Sequence, residues 1–227
     1  MVSNEFSKYA STYEVNNSVQ NEVVKKLLTY CRKEPQTILD LGCGSGAVCK
    51  SIFWNYKKFV GVDFAEGMLA LHPKATNIEL IYGDFNDYKL FEKLKSYSFD
   101  AVFSSSALQW ADNIEEVLYA VSSFRVPVYL AIFTSGTFKT LHKTADLESL
   151  LTDLKKIEYL QKKIFPSSKF EVVQYKMEFS STRDMFRYIK QSGVSGSRKL
   201  LSYKQMKQLM KSYPLNYLEF EVAFISS

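Results

Sequence analysis

The stretch Ile38-Leu39-Asp40-Leu41-Gly42-Cys43-Gly44-Ser45-Gly46 joins an apolar segment, an acid and three alternating glycines. The apolar residues predict a buried strand, and the glycines predict a tight turn that opens a helix. A turn without Cβ atoms lets a ligand approach the backbone closely, beside the unpaired N–H groups of the helix start. Asp40 adds a negative charge, which would repel a pyrophosphate but would hold an ammonium group or an ordered water.

The glycine loop alone leaves two interpretations open. With Ala47 counted as a small residue, Gly42, Gly44 and Ala47 also satisfy the fingerprint of a dinucleotide-binding fold. The loop therefore predicts a nucleotide-type ligand without deciding its class.

The next three predicted strands also end in side chains suited to a ligand. The second strand ends at Asp63, which could grip both hydroxyls of a ribose, and the third ends at Asp84 and Phe85. Asp84 could accept a hydrogen bond from an adenine amino group while Phe85 covers the ring. The fourth strand, near residues 98–106, ends in small polar residues. Buried strands of any α/β protein explain the hydrophobicity, but they do not explain an acid at the end of the first three strands.

The motifs ILDLGCGSG, GVDFAEGML, YGDF and FDAVFSSSALQW, within about residues 35–135, resemble the class I S-adenosylmethionine-dependent methyltransferases. This resemblance, together with the alternation of strands and helices, predicts an α/β fold: a Rossmann-like, seven-stranded mixed sheet with a helical lid. The residue pattern predicts helices over 45–54 and 137–151 and a hinge at Gly193–Ser197. We expect one domain over residues 1–227. Its lid would comprise an N-terminal segment, about residues 1–32, and a helical insert, about residues 181–213.

The resemblance implies S-adenosylmethionine as cofactor and assigns roles to ten residues. Asp40, Gly42, Gly44 and Gly46 would shape the methionine end of the pocket. Asp63 would take the ribose, and Phe64 and Met68 would line the adenine. The remaining implied contacts are Asp84 and Phe85 at the edge and face of the adenine, and the backbone of Ser104 at the methionine moiety.

Motifs outside this region resemble the malonyl-acyl-carrier-protein O-methyltransferases of biotin synthesis. They are the opening Phe6–Glu14, Ser106-Ala107-Leu108-Gln109-Trp110, the exit of the fifth strand Phe133–His142, the helix segment Phe186–Val194 and Tyr213-Pro214-Leu215-Asn216-Tyr217. In the opening, Tyr9 precedes the alanine and Glu14 replaces an aspartate. The resemblance implies methyl transfer to the free carboxylate of a malonyl thioester, carried by acyl carrier protein or coenzyme A. A carboxylate is already ionised at neutral pH, so this reaction needs no general base.

The same resemblance suggests which residues face the acceptor. Tyr9 and Tyr13 could close over the sulfonium, and Gln109 and Trp110 could face the substrate or cap the next helix. The malonyl carboxylate would need donors or a cation inside a closed site. The candidate acceptor-binding side chains are His142, Arg187, Lys190 and Arg198.

The composition of the chain limits which other classes of protein it could belong to. The formal net charge of +5 lacks the dense basic stripe of a nucleic-acid reader, and it would suit an acidic protein partner or an anionic substrate. We expect no membrane segment, because no apolar run is long enough, and no metal site. Three cysteines and an N-terminus without a secretion signal favour the cytoplasm. Three alternatives remain: another small acid or an amine as acceptor, a nicotinamide oxidoreductase, and a non-catalytic binding protein.

Overall fold

The fold is a seven-stranded sheet covered by helices on both faces. The computed structural model describes residues 18–191 and 203–227. The strands are β1 (Thr37–Leu41), β2 (Lys58–Asp63), β3 (Ile78–Tyr82), β4 (Ala101–Ser105), β5 (Val128–Phe133), β6 (Lys169–Glu178) and β7 (Tyr217–Ser226). The helices are α1 (Ser18–Tyr30), α2 (Ala47–Ser51), α3 (Glu66–Leu71), α4 (Tyr88–Leu94), α5 (Ile114–Ser122), α6 (Lys139–Ala145), α7 (Leu154–Ile164), α8 (Thr182–Gln191) and α9 (Tyr203–Ser212), with a 3-10 turn at Leu108–Trp110.

The strand order is β3-β2-β1-β4-β5-β7-β6. Strands β1 to β5 run parallel, and β7 lies antiparallel between β5 and β6. The chain order reverses beside β1, where Leu39 pairs with Val60 of β2 on one side and with Val102 of β4 on the other. Ligands of open α/β sheets bind at the carboxyl edge at such a reversal. The predicted sheet is therefore confirmed, with the glycine loop at this point.

Alternation along the strands divides the core between the two faces of the sheet. Ile38 packs on the side of α1, together with Leu27 and Phe103, whereas Leu39 packs on the side of α5 and α7. Side chains two residues apart share a face of a strand, so Asp40 lies on the side of α1. The strand that carries the apolar core therefore also carries one acid into it.

Several helices differ in length from the sequence prediction. The helix predicted over 45–54 is only Ala47–Ser51, and the one predicted over 137–151 is only Lys139–Ala145. Helix α6 begins after Phe138 and ends before Asp146, both of which have left-handed backbone angles (φ of 56° and 53°). A left-handed residue interrupts α-helical hydrogen bonding, so local backbone geometry sets both ends of this helix.

The two helices of the predicted insert, α8 and α9, pack on the side of α1. Met185 and Ile189 of α8 and Leu209 of α9 are buried in the same apolar cluster as Leu27. The rings of Phe186 and Tyr213 meet edge to face, with centroids 6.2 Å apart. The predicted hinge at Gly193–Ser197 lies outside the described residues, and the lid boundaries remain a prediction. No helix in the described parts of the chain is long and apolar enough to cross a membrane.

Candidate active site

The glycine loop after β1 bends back over β2. The N–H groups of Gly42 and Cys43 both donate to the carbonyl of Val62, at 2.8 and 3.0 Å. Gly42 has a φ of 72°, and a Cβ built on it would lie 2.2 Å from the Cβ of Ala107. Glycine is required there both by the backbone angle and by the close approach of the segment after β4.

Asp63 at the end of β2 holds this loop in place. Its carboxylate accepts a hydrogen bond from the N–H of Gly44 and another from the N–H of Ala65, each at 2.8 Å. Burial raises the pKa of Asp63, and backbone hydrogen bonds from Ala65, Gly44 and Phe64 oppose that rise. Asp63 therefore positions the loop while one side of its carboxylate borders the cleft.

Asp40 is a buried acid with no partner among the described residues. Its side chain is 1% exposed, and neither carboxylate oxygen has a hydrogen-bond partner there. Burial, followed by repulsion from Asp63, raises the pKa of Asp40 to about 8. An unpaired buried acid is costly, and a cationic group brought to it would restore its charged form. The pair Asp40 and Asp63 thus gives the site a preference for positive charge.

A cleft opens at the carboxyl edge between the glycine loop, β2, β4 and α1. Its cavity volume is about 90 Å³. Six of the ten predicted cofactor residues line it: Gly42, Gly44, Asp63, Phe64, Met68 and Phe85. Phe85 and Met68 are buried, so apolar surface stands beside the carboxylate of Asp63. This pairing of aromatic surface with an acid suits a base linked to a sugar with free hydroxyls.

The other four predicted cofactor residues lie behind or beside the cleft wall. Asp40 is buried beneath the loop, and a Cβ on Gly46 would lie 2.6 Å from Pro73. Ser104 is fully buried and its hydroxyl donates to the carbonyl of Leu41 at 2.7 Å, which ties β4 to β1. Asp84 is exposed and accepts from the backbone and side chain of Asn86 at 2.9 Å. Their predicted contacts remain predictions.

The structure adds cleft residues that sequence reasoning missed. One edge of α1 contributes Gln20, Asn21 and Val24. The polar pair Gln20 and Asn21 within this amphipathic helix was the one sign of a cleft wall in the sequence, but polar residues on a helix usually face water. The backbone segments after β1 and β4 contribute the rest: Cys43, Ser45, Ala47, Ser105, Ser106 and Ala107.

The side chain of Cys43 fits beneath the glycine loop because the residue of β2 beside it, Gly61, has no side chain. A Cβ on Gly61 would lie 2.9 Å from the sulfur of Cys43. Burial raises the pKa of the Cys43 thiol well above its usual range. The buried, protonated thiol is a packing residue beneath the loop.

Two of the residues predicted to face the acceptor lie in the 3-10 turn after β4. Trp110 is half-buried and lines the cleft. Gln109 donates from its side-chain amide to the carbonyl of Ser106 at 2.7 Å, and its amide oxygen is buried without a partner among the described residues. Ser106 has a φ of 59°, which turns the chain from β4 into the 3-10 turn that carries both side chains.

The predicted acceptor-binding cations and tyrosines are less well placed. His142 on α6 is half-buried, and burial lowers its pKa, so its ring is neutral at pH 7. Arg187 is exposed and pairs with Asp184 at 2.8 Å on the same helix. Lys190 lies on α8, with its side chain outside the description, and Tyr9, Tyr13 and Arg198 lie outside the described residues. Their roles remain predictions.

Comparison with known proteins agrees with this geometry. Residues 38–126 match the protein family described as methyltransferase domain. A protein of Bacillus halodurans C-125 described as a methyltransferase has the same fold, with a TM-score of 0.63 over 89% of this chain and 96% of its own, at 12% identity. The plantazolicin methyltransferase BpumL, solved with S-adenosylhomocysteine, aligns over 100% of this chain and 88% of its own, at 13% identity and a TM-score of 0.51. The chain is a class I, S-adenosylmethionine-dependent methyltransferase.

The curated relatives of this chain belong to a narrower group of methyltransferases. The malonyl-[acyl-carrier protein] O-methyltransferase of Acinetobacter baylyi is 24% identical over 97% of this chain and 89% of its own length. Bacterial relatives with the same description are 24–28% identical. These findings disagree with the alternative interpretation of the chain as a nicotinamide oxidoreductase.

The described residues fit S-adenosylmethionine on physical grounds. Neither oxygen of Asp40 has a partner among the described residues, so this buried acid would suit the ammonium of the methionine part. Asp63 borders the cleft and would suit a ribose, and Phe64, Met68 and Phe85 would supply an apolar wall for the adenine. When bound, the cofactor supplies an electrophilic methyl group on a positively charged sulfur.

Proposed function

We propose that this methyltransferase methylates the free carboxylate of a malonyl thioester on acyl carrier protein, an early step of biotin (pimeloyl) synthesis. The observation that carries the proposal is the absence of a general base from the described wall of the cleft. Its ionisable members are Asp63, which is hydrogen-bonded to the loop, and Cys43, which is buried. A carboxylate acceptor is ionised at neutral pH and needs no such base.

The acceptor would lie beyond the glycine loop, against the segment after β4. Ser105 and Ser106 border the cleft with hydroxyl groups 3.5 Å apart, and Trp110 stands beside them. These side chains can donate hydrogen bonds to a carboxylate without a strong ion pair that would suppress its nucleophilicity. Catalysis then depends on alignment of the carboxylate with the methyl group and on exclusion of water.

Similarity to curated relatives supports the malonyl acceptor over the alternatives. The relative from Acinetobacter baylyi aligns nearly end to end with this chain, so the similarity includes the lid region as well as the cofactor half. A different small carboxylic acid would satisfy the same cleft chemistry. An amine acceptor would need its proton removed, and the described cleft wall offers no clear base for that step.

The test is methyl transfer from radiolabelled S-adenosylmethionine to malonyl-carrier protein. Malonyl-coenzyme A and acetyl-carrier protein serve as controls, because the acetyl group has no free carboxylate. Label on the malonyl substrates alone, released by mild base as expected for an ester, supports the proposal. Cofactor binding without malonyl methylation contradicts it and favours another small acid.

A further inference from the structure

Two neighbouring lid-side helices present a basic face. Lys139 and Lys143 are four residues apart on α6, and Lys207 and Lys211 are four residues apart on α9. All four are exposed, and neither helix contains an acid. Leu141 and Leu209 point inward from the same two helices into a shared apolar cluster. We call the four residues the lysine face.

The lysine face lies at the same edge of the sheet as the cleft. Helix α6 follows the carboxyl end of β5, and α9 leads into β7, which begins at that edge. Strand β5 is the immediate neighbour of β4, whose end lines the cleft. The strands β5 and β7 next to these helices are therefore one and two places from β4, about 5 and 10 Å away across the sheet.

The sheet holds both helices firmly. Glu219 of β7 accepts from the N–H of Thr140 at 2.9 Å through its side chain, and from the N–H of Phe138 at 2.8 Å through its carbonyl. The hydroxyl of Tyr213, just after α9, donates to the carbonyl of Tyr217 at 3.0 Å. A face fixed in this way can present its charges to a partner with little ordering cost.

The lysine face lacks ion pairs with the described part of the chain. Six other lysines form ion pairs with glutamates at 2.6–2.9 Å: Lys25, Lys26, Lys58, Lys95, Lys162 and Lys163. Within residues 18–191 and 203–227, none of the four lysines of the face has such a pair. Like charges four residues apart on a helix repel each other, at a cost of roughly 0.2–0.5 kcal/mol a pair. An acidic partner would relieve this repulsion.

We propose that the lysine face is the docking surface for an acidic face of the acyl carrier protein. The inference rests on the proposed function and names where its macromolecular substrate binds. Docked beside the cleft mouth, the carrier would feed its malonyl group to the site through the prosthetic arm, while the lysines attract the carrier at a distance. Coenzyme A carries the same type of arm but no protein, so it would not use this face as a docking site.

The experiment compares both malonyl thioesters on one set of variants. The variant K139E/K143E/K207E/K211E reverses the face. The control K33E/K57E reverses two exposed lysines at the opposite edge of the sheet, and the half-reversed K139E/K143E matches its charge change. Circular dichroism and S-adenosylhomocysteine binding establish that each variant keeps its fold and cofactor site.

We expect the fourfold reversal to lower kcat/KM for malonyl-carrier protein by about tenfold or more at low salt, and K139E/K143E to lower it more than K33E/K57E. With malonyl-coenzyme A, kcat/KM of K139E/K143E should change no more than that of the charge-matched control K33E/K57E. The difference between wild type and variant should shrink in high salt, because salt screens exposed charges.

Two results would overturn the docking surface alone: an unchanged kcat/KM for the carrier substrate, or an equal fall with both thioesters. Equal falls in kcat/KM would mean that the lysines support the structure of the site. If the wild-type enzyme methylates neither thioester, the proposed function itself fails and the docking surface fails with it. A fourfold variant that did not fold would be replaced by K139E/K143E and K207E/K211E, judged by the same criteria.

Discussion

The carboxylate of Asp63 accepts a 2.8 Å hydrogen bond from the backbone N–H of Gly44, so the end of β2 fixes the loop that follows β1. The second oxygen of the same carboxylate accepts from Ala65. One side chain therefore orients two backbone segments of the cleft and still borders the space between them. The acid acts on the cofactor site through the loop as well as through any direct contact.

Asp63→Asn should weaken S-adenosylhomocysteine binding by roughly 10- to 100-fold. Asparagine offers a single acceptor oxygen, so its NH2 group would face the N–H of either Gly44 or Ala65, and a hydrogen bond to a charged group is worth about 1.5–3 kcal/mol. Isothermal titration calorimetry measures the change. Asp87→Asn is the matched control, because Asp87 is exposed and accepts from the N–H of Lys89 at the start of α4. Equal affinity losses in the two variants would contradict a specific role for Asp63.

Asp40 should make the ligand-free protein less stable as the pH rises. Its pKa is about 8 in the folded state and about 3.9 in an unfolded chain. Between about pH 4 and pH 8 the folded state therefore binds a proton that the unfolded state has lost, so the free energy of unfolding falls with rising pH, by at most about 1.4 kcal/mol per pH unit. Asp40→Asn removes this dependence. Urea unfolding at pH 5.5, 7.0 and 8.5 measures how the free energy of unfolding changes with pH in the wild type and in the variant. Identical slopes in the two proteins would refute the effect.

Gly42→Ala should destabilise the protein more than Gly44→Ala. Both glycines have positive φ angles, 72° and 53°, which cost an alanine about 1–2 kcal/mol. At Gly42 the new methyl would also lie 2.2 Å from the Cβ of Ala107, whereas nothing lies within 4 Å of the new methyl at Gly44. Midpoints of urea unfolding give the comparison. Equal destabilisation would mean that the segment after β4 moves away without cost.

The cysteines should react slowly in the native protein. Cys31, Cys43 and Cys49 are free and buried, and burial raises the pKa of each thiol. At pH 8 we expect alkylation by iodoacetamide to be at least about tenfold slower than in denaturant, because the thiolate is the reactive form. Mass spectrometry follows the three sites. Rapid modification of Cys43 with loss of S-adenosylhomocysteine binding would show instead that the loop opens readily.

The succession of strands along the chain could be predicted because each strand carries its own signal. Apolar runs define β1 to β4, and the acids Asp40, Asp63 and Asp84 mark the end of three of them. Helix ends were predicted less well, because left-handed residues such as Phe138 and Asp146 are not glycines and leave no mark in the sequence. The cleft wall from α1 was missed for a similar reason, since Gln20 and Asn21 look like solvent-facing residues until the helix is docked.

The motifs with glycines and acids along one series of strands were enough to show the resemblance to class I methyltransferases. That information is local, because a turn conformation and a strand end depend on a few adjacent residues. The roles of the two acids depend on how the chain packs. Asp40 and Asp63 have the same side chain at the same kind of position, yet burial leaves Asp40 without a partner among the described residues, and packing brings Gly44 to Asp63. Solvent exclusion and long-range contact, which follow from the packed fold, separate their roles.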